Sequence, residues 1–183
     1  MTVREVVMLA AEELGILEEV NGYFNDGNEN GKTKAERLLT CFNLVENELA
    51  LDYFTLKKTD IMMTTNGRVK FSDLTYAPVH IIDVTNAENQ SYEFSLYADY
   101  LQTVSGSVKV TYSYTPNKKT IDETSDFSLE VSTRLMSYGV AAEYALMIGA
   151  FEEAALWDKK YKDAISVLYK KDKCGRMTAR RWA

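Results

Sequence analysis

The chain has 183 residues, of which 46% are hydrophobic and 26% charged, with only two prolines and a net charge of −6. That length and balance suit one large domain, or a domain with a substantial insertion, and exclude large-scale disorder. Two distant cysteines and a single histidine leave no disulfide framework and no metal-ligand spacing, and they argue against zinc chemistry or a His-dependent triad.

In chain order, Thr2 to Ile16 reads as a first helix, with Val3, Val6, Val7, Ala10 and Leu14 as its apolar stripe and Gly15 at its end. Glu5, Glu12 and Glu13 interrupt the stretch where a secretory signal would be apolar. Asn21 to Gly31, rich in Asn and Gly, reads as a surface loop or a short hairpin. Thr33 to Leu51 is a second helix. Thr33 and Glu36 have capping-box spacing, Ala35, Leu38, Leu39, Phe42, Val45 and Leu49 share one face, and Asn43, Glu46 and Asn47 lie off it. Cys41, inside that helix, reads as a small buried hydrophobe.

From Tyr53 the period changes to two. Ile61–Thr65 and Arg68–Phe71 flank Asn66-Gly67, a pair that favours a type I′ hairpin turn. Val79–Val84, containing His80 in a structural role, Tyr92–Tyr97 and Val108–Thr115 are further strands. The last alternates Val108, Val110, Tyr112 and Tyr114 with polar residues, which predicts an antiparallel sheet or small sandwich with one wet face. Pro116 ends it, and Ser125 or Asp126 is placed to cap the next helix.

Leu129 to Lys171 holds two helical patterns joined at Gly149. Leu135, Gly139, Ala142 and Leu146 mark a face of the first, and Phe151, Ala154, Ala155, Tyr161, Ala164, Ile165 and Leu168 a face of the second. Small residues on the shared face predict a closely packed αα-hairpin, with Gly139, Gly149, Phe151, Trp157 and Tyr161 as its packing residues. Gly149 to Ala154, with Tyr161 and Ala164, is similar to the joint of a tetratricopeptide repeat. No second copy stands at the required period, so the likeness reports a tight helix–turn–helix. Glu143, alone in an apolar run, suits an inter-helix ion pair or a cap.

The order of elements predicts an α+β fold: a four-helix bundle of two N-terminal and two C-terminal helices with an inserted antiparallel β module. The boundaries are residues 1–54 and 117–175 for the bundle, 55–116 for the β module and 176–183 for a C-terminal tail. From Lys159 onward nine Lys/Arg face two Asp, a net +7, against −13 for residues 1–158. The tail's Arg176, Met177, Arg180, Arg181 and Trp182 are residue types suited to docking on a partner. A solvated basic end is the plainer alternative.

Phosphate-loop, GxGxxG, GxSxG and HExxH motifs do not occur. Adjacent acidic pairs such as Glu152/Glu153 point in different directions on a helix and read as solvated faces. Nothing indicates an enzyme or a cofactor, and Glu143 breaks the longest apolar run, so no membrane span is expected.

Several short motifs, in order, resemble the phage head–tail adaptor (connector) proteins, including tail tubular adaptors. They are the N-terminal helix pair, the β insertion ending in Tyr112-Ser-Tyr-Thr-Pro116, and Tyr138-Gly-Val-Ala-Ala-Glu-Tyr144. Gly149-Ala-Phe-Glu-Glu-Ala154 with Trp157 and Tyr161, and the closing Arg180-Arg181-Trp182, complete the series. The resemblance covers nearly the whole chain, although the Asn21–Gly31 loop has no counterpart in it. It implies a structural virion protein, assembled in the host cytoplasm, that forms a ring of typically twelve copies between the portal protein and the next tail component. DNA would pass through without sequence-specific binding, and Arg176, Arg180, Arg181 and Trp182 would dock on the portal. The alternative is a cytoplasmic peptide-binding module that uses the helical hairpin.

Overall fold

A computed structural model describes residues 1–127 and 131–174. The protein is α+β and divides into two compact units, one formed by Met1–Glu46 with the chain from Lys118 on, the other by Asn47–Asn117.

In the first unit, Thr2 opens α1 (Val3–Glu13) with a capping box. The Thr2 hydroxyl accepts from the Glu5 amide at 3.2 Å, and the Glu5 carboxylate accepts from the Thr2 amide at 2.8 Å. Gly15, at φ +70°, lets the chain turn into α2 (Leu17–Asp26). This helix corrects the expected loop: Val20 is buried and Tyr23 and Phe24 half-buried at helical spacing, and Gly27 at φ +70° ends it. Packing of these apolar residues outweighs the poor helix propensity of the Asn and Gly around them. Three N-terminal helices therefore stand where two were expected.

A short 3₁₀ turn at Glu29–Gly31 leads directly into α3 (Lys32–Glu48). Thr33 and Glu36 consequently lie inside the helix rather than at a cap. The Lys34 ammonium reaches the Glu19 carboxylate of α2 at 2.6 Å. Ala35, Leu38, Cys41, Phe42 and Val45 are buried on one face, and Asn43 and Glu46, expected off that face, are buried too.

The returning chain pairs with the N-terminus. The Val3 amide donates to the Glu123 carbonyl at 3.0 Å and the Ser125 amide to the Met1 carbonyl at 3.2 Å. Ser132, not Ser125 or Asp126, caps α4 (Thr133–Met147), its hydroxyl accepting from the Leu135 amide at 3.2 Å. Gly149, at φ +82°, turns the chain into α5 (Phe151–Cys174). Helix α4 packs against both α1 and α5. No helix among the described residues is long and apolar enough to cross a membrane.

The second unit carries β1 (Lys57–Thr64), β2 (Arg68–Lys70), β3 (Pro78–Thr85), β4 (Ser95–Leu96), β5 (Tyr100–Gln102) and β6 (Gly106–Tyr114). They form two antiparallel sheets, ordered β1-β6-β3 and β2-β5-β4. The Asn66-Gly67 hairpin expected between β1 and β2 does not pair them, because the chain there passes from one sheet to the other. Gly67 alone of the pair has positive φ (+68°), and its carbonyl accepts from the Thr103 amide at 2.7 Å. Of the expected Tyr92–Tyr97 strand only Ser95–Leu96 is extended into a sheet, paired with β5. Val84, Val108, Val110 and Tyr112 of the larger sheet bury themselves against Val69, Leu74 and Leu101. Each such aliphatic side chain contributes about 1.5–3 kcal/mol when taken out of water.

Candidate interaction surfaces

The αα-hairpin is held by one close approach. A Cβ on Gly139 would stand 2.8 Å from Val45 Cγ1 of α3 and 3.0 Å from Tyr161 Cε2 of α5. Glycine at this position therefore lets three helices meet. On α5, Ala154, Tyr161 and Ile165 are buried and Trp157, Ala164 and Leu168 half-buried, one stripe at helical spacing. Trp157 stacks on Tyr138 of α4 with ring centroids 5.8 Å apart, and the Lys160 ammonium sits 3.8 Å from the Trp157 ring centroid. Arg134 Nε donates to the Tyr138 hydroxyl at 2.6 Å.

Two expected packing positions behave differently. Gly149 supplies the turn rather than a contact, since no described residue beyond its chain neighbours lies within 4 Å of the place of its missing Cβ. Phe151, expected inside the hairpin, is 70% exposed. It is the first residue of α5. Ala155 and Leu146, assigned to the shared face from spacing, are exposed as well.

The tip of the hairpin is consequently apolar and open to solvent. Leu146, Met147, Ile148 and Phe151 are all exposed within six residues. Beside them is an open cavity of about 370 Å³ lined by Gly149, Ala150, Phe151, Glu152 and Glu153. A cluster of large exposed apolar groups rimmed by carboxylates is the pattern of a contact surface.

Glu46, like Asn43, is a polar residue that spacing alone puts off the apolar face and that the fold buries, at 1% exposure. Its Oε1 accepts from the Ser125 hydroxyl at 2.6 Å and the Asp126 amide at 3.0 Å. Asn43 grips the same returning segment, its Oδ1 accepting from the Lys119 amide at 2.6 Å and its Nδ2 donating to the Lys119 carbonyl at 3.2 Å. The Lys119 ammonium completes the cluster on Asp126 at 2.8 Å. Burial pushes the Glu46 carboxyl above its ordinary value, against the opposing bonds from Ser125 and Asp126. Glu46 Oε2 and Asp126 Oδ2 are buried with no hydrogen-bond partner among the described residues. The cluster clamps the returning chain onto α3.

Glu143 is half-buried on α4 and forms no ion pair among the described residues. It lies near Cys41, whose thiol is pushed up to about 12, first by burial and then by this carboxylate. A thiol held protonated in this way is inert packing.

In the second unit, the Asp60 carboxylate accepts from the Tyr112 hydroxyl at 2.7 Å, the Thr75 amide at 2.8 Å and the Thr75 hydroxyl at 3.0 Å. His80 is exposed on β3, its amide donating to the Ser113 hydroxyl at 3.1 Å. Among the described residues no group of three or more His, Cys, Asp or Glu gathers as a metal site. Arg176, Met177, Arg180, Arg181 and Trp182 lie outside the described residues.

No protein-family model matches this chain, and no curated protein matches it.

The hairpin tip offers desolvatable area and acidic groups. The Glu46 and Asp60 networks are internal braces, one in each unit.

Proposed function

We propose that this chain is a structural virion protein, a head–tail adaptor that forms a ring on the portal and joins it to the next tail component. The observation that carries the reading is the interrupted architecture: a helical unit built from both ends of the chain, with an antiparallel β unit supplied by residues 47–117. In this reading α1, α3, α4 and α5 are the four helices of a bundle and α2 is an addition to it. The approach of Val45, Gly139 and Tyr161 and the packing of α1 on α4 support that arrangement.

The same reading assigns the basic segment Arg176–Trp182 to the portal, where acidic and apolar groups would receive its guanidinium and indole side chains. The acidic remainder of the chain, net −13 over residues 1–158, suits a channel through which DNA passes without adhering. In this reading the ring holds about twelve copies at the portal–tail junction, as the resemblance to adaptor proteins implies. Truncation after Lys173 tests the docking role: the shortened chain should fold and fail to bind portal. A truncated chain that binds portal as the full chain does removes the tail from the proposal.

A further inference from the structure

We propose that the hairpin tip of one copy is the docking site for the Arg176–Trp182 segment of a second copy. This does not rest on the adaptor reading; it follows from the chemistry of the two surfaces and the distance between them. The tip exposes Leu146, Met147, Ile148 and Phe151 around an open cavity of about 370 Å³ whose wall includes Glu152 and Glu153. The segment carries Arg176, Arg180 and Arg181 with Met177 and Trp182. Two carboxylates outweigh the roughly half positive charge of the α5 N-terminus, so the tip presents net negative charge to those guanidinium groups. An indole and a thioether match the apolar floor, and arginine can pair a carboxylate while lying flat on an aromatic ring.

Geometry makes the contact intermolecular. The tip lies at the Phe151 end of α5, and the segment follows the Cys174 end. A helix of 24 residues is about 36 Å long. Trp182 stands eight residues past Cys174 and reaches at most about 29 Å even when fully extended. On those lengths the backbone of Trp182 stops short of the tip of its own chain, whereas a second copy can bring it there. Such a contact joins different patches on the two partners, and contacts of that kind close into rings or run on as open chains. When portal is present, the same segment would exchange the tip for the portal surface.

Two full-length variants test this by sedimentation velocity. One carries Arg180→Glu, Arg181→Glu and Trp182→Ala; the other carries Phe151→Ser, Glu152→Lys and Glu153→Lys, all at exposed positions. The unaltered chain should self-associate with concentration, and each variant alone should raise the dissociation constant by at least about tenfold. Mixed in equal amounts, the two should form a one-to-one pair, because the first retains an intact tip and the second an intact segment. That pair reports both variants as folded, and it cannot grow further. A monomeric unaltered chain, a tip variant that associates normally, or a mixture that stays monomeric would each overturn the proposal. The tip variant should still bind portal. Loss of portal binding by the unaltered chain, with self-association intact, would count against the adaptor reading alone.

Discussion

Gly139 of α4 and Tyr161 of α5 are so close that a single Cβ on residue 139 would meet the tyrosine ring at 3.0 Å. Val45 Cγ1 closes the other side at 2.8 Å, and both neighbours are themselves buried. Gly139→Ala gains about 1 kcal/mol of helix propensity. Overpacking costs about 1–3 kcal/mol, so a net loss of about 1 kcal/mol is expected. Gly139→Val, bulkier and β-branched, should lose about 2–3 kcal/mol. Denaturation followed by far-ultraviolet circular dichroism measures both, and a stabilised valine variant would show that the helices are not in contact there.

The Glu46 clamp predicts a pH dependence with a definite sign. Its carboxyl is raised in the folded state above the ordinary 4.5, so folding takes up a proton in the interval between the two values. This contribution to stability is fully present below 4.5 and is lost as pH rises through the folded-state value. Glu46→Gln keeps an acceptor for Ser125 and Asp126 and removes the buried charge. It should equal or exceed the parent by about 1 kcal/mol at neutral pH, with that advantage shrinking toward pH 4.5. Glu46→Ala leaves both donors unpaired and should cost about 2–3 kcal/mol. An advantage of glutamine that grows on acidification would reverse the argument.

Asp60 predicts the opposite slope. Burial acts to raise its carboxyl, but the bonds from Thr75 and Tyr112 together prevail and hold it below the ordinary 3.8. Its stabilisation is present above 3.8 and lost as pH falls through the lowered value. Tyr112→Phe removes the 2.7 Å bond to the carboxylate and the acceptor for the Tyr76 amide at 3.1 Å. The loss should be about 1.5–3 kcal/mol. Hydrogen exchange at Thr75 and Tyr76 should rise in that variant, and unchanged protection would show the network to be dispensable.

Residues with a clean period were readable without coordinates. Val3, Val6, Val7 and Ala10 mark α1, Ala35 to Val45 mark α3, and Val108 to Tyr114 mark the central strand of the larger sheet. Where local chemistry and tertiary packing disagree, the sequence misleads. Asn and Gly around Val20 signal a loop, and only the packing of Val20, Tyr23 and Phe24 makes α2 a helix. Asn66-Gly67 announces a reversal but cannot say which strands then pair. Glu46 lies on the polar side of an amphipathic pattern, and the Ser125 that buries it is 79 residues away. Phe151 fits the spacing of a packed face, yet it begins a helix at the tip and is largely exposed there.

The adaptor reading stands or falls on assembly with a portal. The decisive measurement is electron microscopy of the purified full-length chain mixed with cognate portal rings, beside the same mixture made with the chain truncated after Lys173. The account predicts an added ring of density on one face of the portal with the full chain, and bare portals with the truncated one. Bare portals in both mixtures would contradict it.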